Sequence, residues 1–342
     1  MSGTRLSLRA KTAISIALAA VLFGYFLWRA PLREVGRALT TVDLGLLGIS
    51  VLLSLCSYTL RALRWGIILR PVGSPTKGDL LGCTAAGFAA NTILPARAGE
   101  LVRPLLLSAR SRIPAAATIA SILTERLADL ATILALFAIG ALLAADRLSA
   151  GALLPLRNAA LLTLAGLVAF VAVILLLLRW RLAAVERMVG LLPERFRERG
   201  RHFLDHVLDG LSVVQNPVQL ARLLVWGLAV WLAASAQVQV LAAAFAVPIG
   251  LAGAFIVLTI GGLGLAIPTP GGVGGFHAAT QFALMRLFGV DAATATAYAL
   301  VHHAVCFFPI TIVGLSYAAA VGWRLRPVTA PAGEAPAAGP GA

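Results

Sequence analysis

Apolar runs of about twenty residues, enough for a helix to cross a hydrocarbon core of about 30 Å, recur at 12–28, 44–69, 115–145, 156–178, 219–245 and 292–323. These six predict transmembrane crossings. The first follows Arg5, Arg9 and Lys11, but its apolar core is long and no clean small-x-small cleavage site follows, so it is expected to remain as an anchor. Two further apolar stretches, 79–95 and 251–267, are interrupted. The first breaks at N-T-I-L-P-A-R-A-G-E-L-V-R (91–103) and the second at A-I-P-T-P-G-G-V-G-G-F-H (266–277), and moderately apolar helices follow at 101–109 and 276–288. Each pair fits a re-entrant hairpin; the alternative is an ordinary pair of crossings and a higher helix count. Non-helical backbone at membrane depth is tolerated only where protein or a water-filled cavity covers it, so the hairpin reading implies a cavity. The expected fold is an all-α integral membrane protein with six to eight transmembrane helices and two opposed re-entrant hairpins.

Composition agrees with the pattern. With 60% hydrophobic and 12% charged residues over 342 positions, the chain cannot wrap a soluble surface around a core. A net charge of +14 raises the question of nucleic acid, but the basic residues flank the apolar spans and form no aromatic-laced basic face, so no nucleic-acid partner is expected. Arginine supplies 26 of the 28 basic residues, a compositional bias with no mechanistic content. Their placement reports orientation. With six crossings, the segments 1–11, 61–79, 97–112, 179–222 and 324–326 carry 21 Lys and Arg, whereas 29–43 and 146–157 carry five. The positive-inside rule then puts both termini in the cytoplasm, in a multi-pass protein of the cytoplasmic (inner) membrane. Cys56, Cys83 and Cys306 lie in apolar runs without C-x-x-C spacing and are expected to be small buried hydrophobes.

Under this topology residue 78 is inside and residue 248 outside, so the two hairpins enter from opposite faces. A shift of 177 residues sets Pro71 on Pro248, Gly87 on Gly264, Glu100 on His277, and Glu125-Arg126 on His302-His303. This suggests inverted repeats over 71–145 and 248–322 within one polytopic domain, 1–326. Between the halves, residues 179–216 space Val207, Leu208 and Leu211 helically among charges, which fits either an amphipathic helix on the cytoplasmic leaflet or a solvated linker helix. The segment 327–342 is low-complexity, is expected to be disordered, and is too short to hold an enzyme.

Charge at membrane depth is where function is sought. Pro114 is expected to start the long third helix, which puts Glu125 about 16 Å along its axis, near mid-membrane. Glu125 and Asp129 are four apart and share a face, with Arg126 beside them. Arg97 and Arg103, around Gly99-Glu100, are candidates to pair with those carboxylates or to fork onto a phosphate. Neutralisation within the cluster as a purely structural device is the alternative. Against it stand the helix breaks, Pro95 and Gly99 in one half and Pro268, Pro270, Gly271, Gly272 and Gly274 in the other, which allow close backbone approach and expose amides. His277, His302 and His303 invite a metal reading, but no carboxylate stands at ligand spacing on their helices; as titrating partners in a cavity they make more sense. No metal, other cofactor or catalytic constellation is expected. The substrate-binding candidates are Asn91, Arg97, Glu100, Arg103, Glu125, Arg126, Asp129, His277, His302 and His303.

Three blocks then carry a resemblance. N-T-I-L-P-A-R-A-G-E-L-V-R-P (91–104), A-S-I-L-T-E-R-L-A-D-L (120–130) and T-P-G-G-V-G-G-F (269–276) resemble the signature blocks of the lysylphosphatidylglycerol synthase transmembrane, or flippase-like, family, which forms the N-terminal membrane domain of the multiple peptide resistance factor. The likeness extends over roughly 12–323. It implies a lipid flippase-like domain, which in the name-giving relative moves aminoacylated phosphatidylglycerol made by a separate soluble domain. Other relatives are linked to polyprenyl-phosphate sugars and to hopanoid transport. By position, Arg97, Glu100, Arg103, Glu125, Arg126, Asp129, Pro270, Gly271, Gly272 and Gly274 match family residues that line the presumed cavity. The family often has glutamate where His277 stands and arginine near His302, so a different substrate or coupling is implied here.

The expected activity is translocation of a polar or anionic lipid (aminoacyl-phosphatidylglycerol, polyprenyl-phosphate or a related lipid), with arginines on the phosphate and membrane lipids as partners. Two alternatives stay open. One is a non-transporting membrane partner of a separately encoded lipid-modifying or glycosyl transferase, held by 179–216. The other is a membrane transferase of the phosphatidylglycerol lysyltransferase type, against which stands the lack of a nucleotide-binding motif or nucleophile arrangement.

Overall fold

A computed structural model describes residues 31–94, 97–149, 151–179, 217–267 and 269–321, together with the isolated positions 17, 20, 21, 24, 194 and 197. Most of the first expected crossing at 12–28 and of the segment from 180 to 216, the tail at 327–342, and the break residues Pro95 and Pro268 lie outside the described residues.

Among the described residues the chain is helical, without strands. A short helix α1 (Leu32–Thr40) precedes α2 (Leu44–Leu69), then α3 (Lys77–Ile93), α4 (Gly99–Arg110), α5 (Ala115–Leu143) and α6 (Leu153–Arg179). The second half runs α7 (Pro217–Ala244), α8 (Gly250–Gly264), α9 (Gly275–Phe282), which continues as one π turn (Ala283–Leu287), and α10 (Ala292–Val321). Local chemistry sets the starts. The Asp43 carboxylate accepts from the Leu46 amide at 2.9 Å and caps α2, and the Thr76 hydroxyl accepts from the Asp79 amide at 3.1 Å and caps α3. Pro114 stands just before α5, where its missing N–H costs nothing.

Helices α2, α5, α7 and α10 are long and apolar enough to cross a membrane, and Leu153–Ala169 of α6 is a shorter apolar stretch. Exposed large hydrophobics such as Leu52, Leu143, Leu162, Val225 and Ile312 face outward along them, as a lipid-facing surface requires. Cys56 is also exposed on the outer face of α2, not buried as expected, whereas Cys83 is buried. The broken pairs behave differently. At 1.5 Å per residue, α3 with 17 residues is about 26 Å long and α4 with 12 about 18 Å. Helix α8, with 15 residues, is about 22 Å long. None of the three reaches across a core of about 30 Å by itself.

Packing repeats from half to half. Helices α2 and α7 form the largest interface; α3 packs on α10 as α8 packs on α5, α3 on α4 as α8 on α9, and α4 on α5 as α9 on α10. Each broken pair closes on two glycines whose backbones touch. A Cβ on Gly99 would strike the Gly87 carbonyl, and one on Gly275 the Gly264 carbonyl, so neither crossing admits a side chain. Buried hydroxyls and amides stitch the centre, where a membrane interior offers no water: Ser50 Oγ donates to the Gln237 carbonyl (3.2 Å), Ser57 Oγ to the Val230 carbonyl (3.1 Å) and Tyr298 Oη to the Val238 carbonyl (3.0 Å).

Candidate functional site

On α2 the polar residues Ser50, Ser54, Ser57, Arg61 and Arg64 fall at intervals of four and three, one face of a helix, and all five are buried. This stripe meets α5 where Glu125 and Asp129 project from the same face. Arg61 Nη1 lies 2.6 Å from Asp129 Oδ2 and 3.5 Å from Glu125 Oε1. Arg64 Nη1 is 2.7 Å from Asp129 Oδ1, and its Nη2 is 3.5 Å from Glu125 Oε1. Arg103, reaching in from α4, donates to Glu125 Oε1 at 3.0 Å with its guanidinium 4.1 Å from the Trp65 ring centroid. From α7, the Trp231 indole N–H donates to Asp129 Oδ1 at 2.9 Å. Arg126 completes the group, 3.4 Å from Glu125 and 4.0 Å from Asp129.

The cluster therefore holds four arginines against two carboxylates. Burial of a charge is tolerable only with a partner, and here the positive groups outnumber their partners by two. The donors are also in excess: no N–H of Arg64 is aligned on an acceptor, and Nε and Nη2 of Arg103 and Nε of Arg126 have no hydrogen-bond partner. Arg126 is the member whose side chain is most open, 36% exposed.

It opens onto a cavity of about 200 Å³ between the halves. Arg61, Arg97, Arg126, Asn91, Trp231 and Gln237 contribute its polar wall, and Phe88, Phe276 and Phe307 are among its apolar residues. Gly271 and Gly272 line it from the other half. Their φ angles of 61° and 69° are left-handed, which an L side chain adopts only at a cost, and they bring the second break against the end of α3: a Cβ on Gly271 would sit 3.3 Å from the Thr92 carbonyl. The two interrupted segments thus meet at one place. A smaller cavity of about 20 Å³ adjoins Asn91, Glu100, Arg103 and Arg126, large enough for a single water.

The expected site residues divide. Asn91, Arg97 and Arg126 line the larger cavity, and Glu100 and Arg103 line the smaller. Glu125 and Asp129 lie behind the arginines. Of the two roles open to Arg97, pairing with the buried carboxylates is not the one seen: its left-handed backbone (φ 55°) turns it to Glu100, 3.5 Å away, and it makes no ion pair with Glu125 or Asp129. The three histidines gather in the second half but line neither cavity. His303 Nε2 is 2.8 Å from the Gly271 carbonyl, and the Gly274 amide donates to His277 Nδ1 at 3.3 Å. His302 is fully buried, its ring centroid 4.9 Å from that of Phe276, and neither ring nitrogen has a hydrogen-bond partner. His277 and His303 brace the glycine turn, and no group of three or more His, Cys, Asp or Glu that could hold a metal ion occurs among the described residues.

Arg61 and Arg64 were missed as site residues. Their places near the end of an apolar span put them in the segment 61–79 expected on the cytoplasmic side, whereas both are buried within α2. The S-x3-S-x2-S-x3-R-x2-R spacing was the available signal.

Residues 12–314 match the family described as the lysylphosphatidylglycerol synthase TM region. The chain belongs to this family. Glycosyltransferase AglD of Haloferax volcanii is 31% identical to this chain over an alignment of 311 residues that covers 82% of this chain and 49% of the relative, so the chain spans about half the length of AglD. A UPF0104 membrane protein of Methanothermobacter thermautotrophicus is 24% identical over 318 residues, 88% of this chain and 90% of its own. With the apolar helices, the family membership makes this a membrane-embedded protein.

Proposed function

We propose that the protein translocates a phosphate-bearing lipid across the cytoplasmic membrane, the headgroup passing through the cavity while the hydrophobic tails stay in the bilayer. One observation carries the reading: a buried cluster with two more arginines than carboxylates opens, through Arg61 and Arg126, onto a polar cavity in an otherwise apolar bundle. Such a surplus at membrane depth calls for an anion, and guanidinium groups suit phosphate. In this reading α3–α4 and α8–α9 are re-entrant hairpins entering from opposite faces as parts of inverted repeats, with both termini cytoplasmic. The chain moves a lipid and forms no covalent bond itself.

Mass spectrometry of lipids carried through purification tests this. A phosphate-bearing lipid enriched on the native protein and lost from a folded Arg126→Ala variant is the expected result. Identical lipid profiles on both proteins would leave the arginines as structural counter-ions and overturn the reading.

A second reading has one observation in its favour. The similarity to this chain covers about half of a relative named a glycosyltransferase, so a membrane partner presenting a lipid to a separately encoded transferase is also coherent. A stable complex with such an enzyme, undisturbed by Arg126→Ala, would favour it.

A further inference from the structure

Resting on the translocation reading, the chemistry of the cavity wall narrows the headgroup. We infer that the cavity selects a net-anionic lipid whose phosphate carries an uncharged, hydroxyl-bearing headgroup, and that it rejects an aminoacyl headgroup with a free ammonium.

The first ground is charge. Among the described residues lining the larger cavity are Arg61, Arg97 and Arg126 and no aspartate or glutamate. Glu125 and Asp129, with side chains 0% and 7% exposed, are spent on the buried arginines. Glu100 borders only the small adjoining cavity, 3.5 Å from Arg97. An ammonium entering this space meets like charge and no free carboxylate, an arrangement that discriminates against it as strongly as a clash would.

Aromatic faces could hold a cation instead, but that route is taken. The Arg61 guanidinium already lies 5.2 Å from the Trp231 ring centroid and 5.9 Å from that of Phe88. His303 stacks on Phe307 with centroids 4.4 Å apart, and Phe276 meets Phe307 edge-on at 5.9 Å. The rings are engaged by protein groups.

The second ground is hydrogen bonding. Asn91 stands on the same wall as the arginines. A side-chain amide can pair with a sugar or glycerol hydroxyl as well as with a phosphate oxygen. Ser54 is a further neutral polar residue of the same lining. A cavity of about 200 Å³ has room for a phosphate and a small polyol, with the acyl tails left in the bilayer.

The test uses the full chain in mild detergent with phosphatidylglycerol and lysyl-phosphatidylglycerol at equal concentration, read by native mass spectrometry. Phosphatidylglycerol should be retained more than about tenfold over the lysyl lipid. Soluble glycerol 3-phosphate at the same concentration should not displace it. Gln237→Glu, nearly isosteric, places a carboxylate on the wall and should shift the ratio about tenfold toward the lysyl lipid. Equal or better retention of the lysyl lipid by the native protein would overturn the inference while leaving translocation standing. Displacement by glycerol 3-phosphate would overturn the assignment to a lipid. Retention of neither lipid above the Arg126→Ala protein would bring down the translocation reading itself.

Discussion

Replacing Asp129 by asparagine removes one of only two negative charges from a group that holds four arginines. The side chain keeps its size, so the effect is electrostatic. Asp129 lies 2.6 Å from Arg61 and 2.7 Å from Arg64 and accepts the Trp231 indole N–H at 2.9 Å. Arg64 is fully buried, and without Asp129 its nearest counter-charge is Glu125 at 3.5 Å, shared with three other arginines. Breaking a buried pair from one side costs about 3–5 kcal/mol, roughly 5–15 °C in apparent midpoint for a chain of this size. Adding Arg64→Met removes the stranded charge, and the double variant should recover at least about 1 kcal/mol of the loss. Arg126→Ala makes the contrast. Its side chain is 36% exposed and its removal relieves repulsion among the arginines, so the cost should stay under about 1 kcal/mol. Thermal unfolding of the detergent-purified proteins at one fixed scan rate, followed by intrinsic fluorescence, measures all four. An Asp129→Asn protein within about 1 kcal/mol of native, or a double variant no better than it, would refute the division into buried counter-ions and open ligands.

Further outcomes follow from the same geometry. Gly264→Ala and Gly99→Ala each drive a Cβ into a facing carbonyl, of Gly275 and Gly87 respectively, and should each cost about 1–3 kcal/mol or more, visible as a lowered midpoint. Trp65→Phe removes the indole donor to Ser121 Oγ (2.8 Å) and part of the ring face under Arg103, and should cost about 1–2 kcal/mol on the same assay. At the start of α10, the Thr294 amide donates to Asp291 at 2.9 Å and holds that carboxyl below its usual range. A depressed folded value means stability present above the unfolded value of about 3.9 and lost as pH falls through the lower folded one. Asp291→Ala should therefore cost about 0.5–2 kcal/mol at pH 7, with the difference from native closing in acid.

Much of this architecture was legible because lipid imposes a simple rule on long helices. The span read at 44–69 is α2 residue for residue, and those at 115–145, 219–245 and 292–323 differ from α5, α7 and α10 by one or two residues at an end. The interruptions were legible too, since proline and glycine clusters inside apolar sequence are rare without cause. Pairings across the bundle were not. Charge-bearing positions on one helix, such as Glu125 and Asp129, announce a need for partners without naming them, and several arginines stood at plausible distance in sequence. Arg97 was a reasonable candidate by spacing, yet its left-handed turn sends it to Glu100. Arg61 and Arg64 stand at a span's end, where charge ordinarily belongs to a loop, but the serines at 50, 54 and 57 mark the same face turning inward. The internal shift sets His277 on Glu100 and His302-His303 on Glu125-Arg126, which points to cavity groups, but helix register alone does not say which side of a glycine turn a ring occupies.

Translocation itself is the claim on which the account rests. Vesicles containing the purified protein and headgroup-labelled phosphatidylglycerol in one leaflet, followed by protection of the label from an external quencher, measure it directly. The account predicts movement between leaflets well above empty liposomes, lost in Arg126→Ala protein that unfolds at the native midpoint. Movement no faster than in empty liposomes, for phosphatidylglycerol and polyprenyl-phosphate lipids alike, would contradict it.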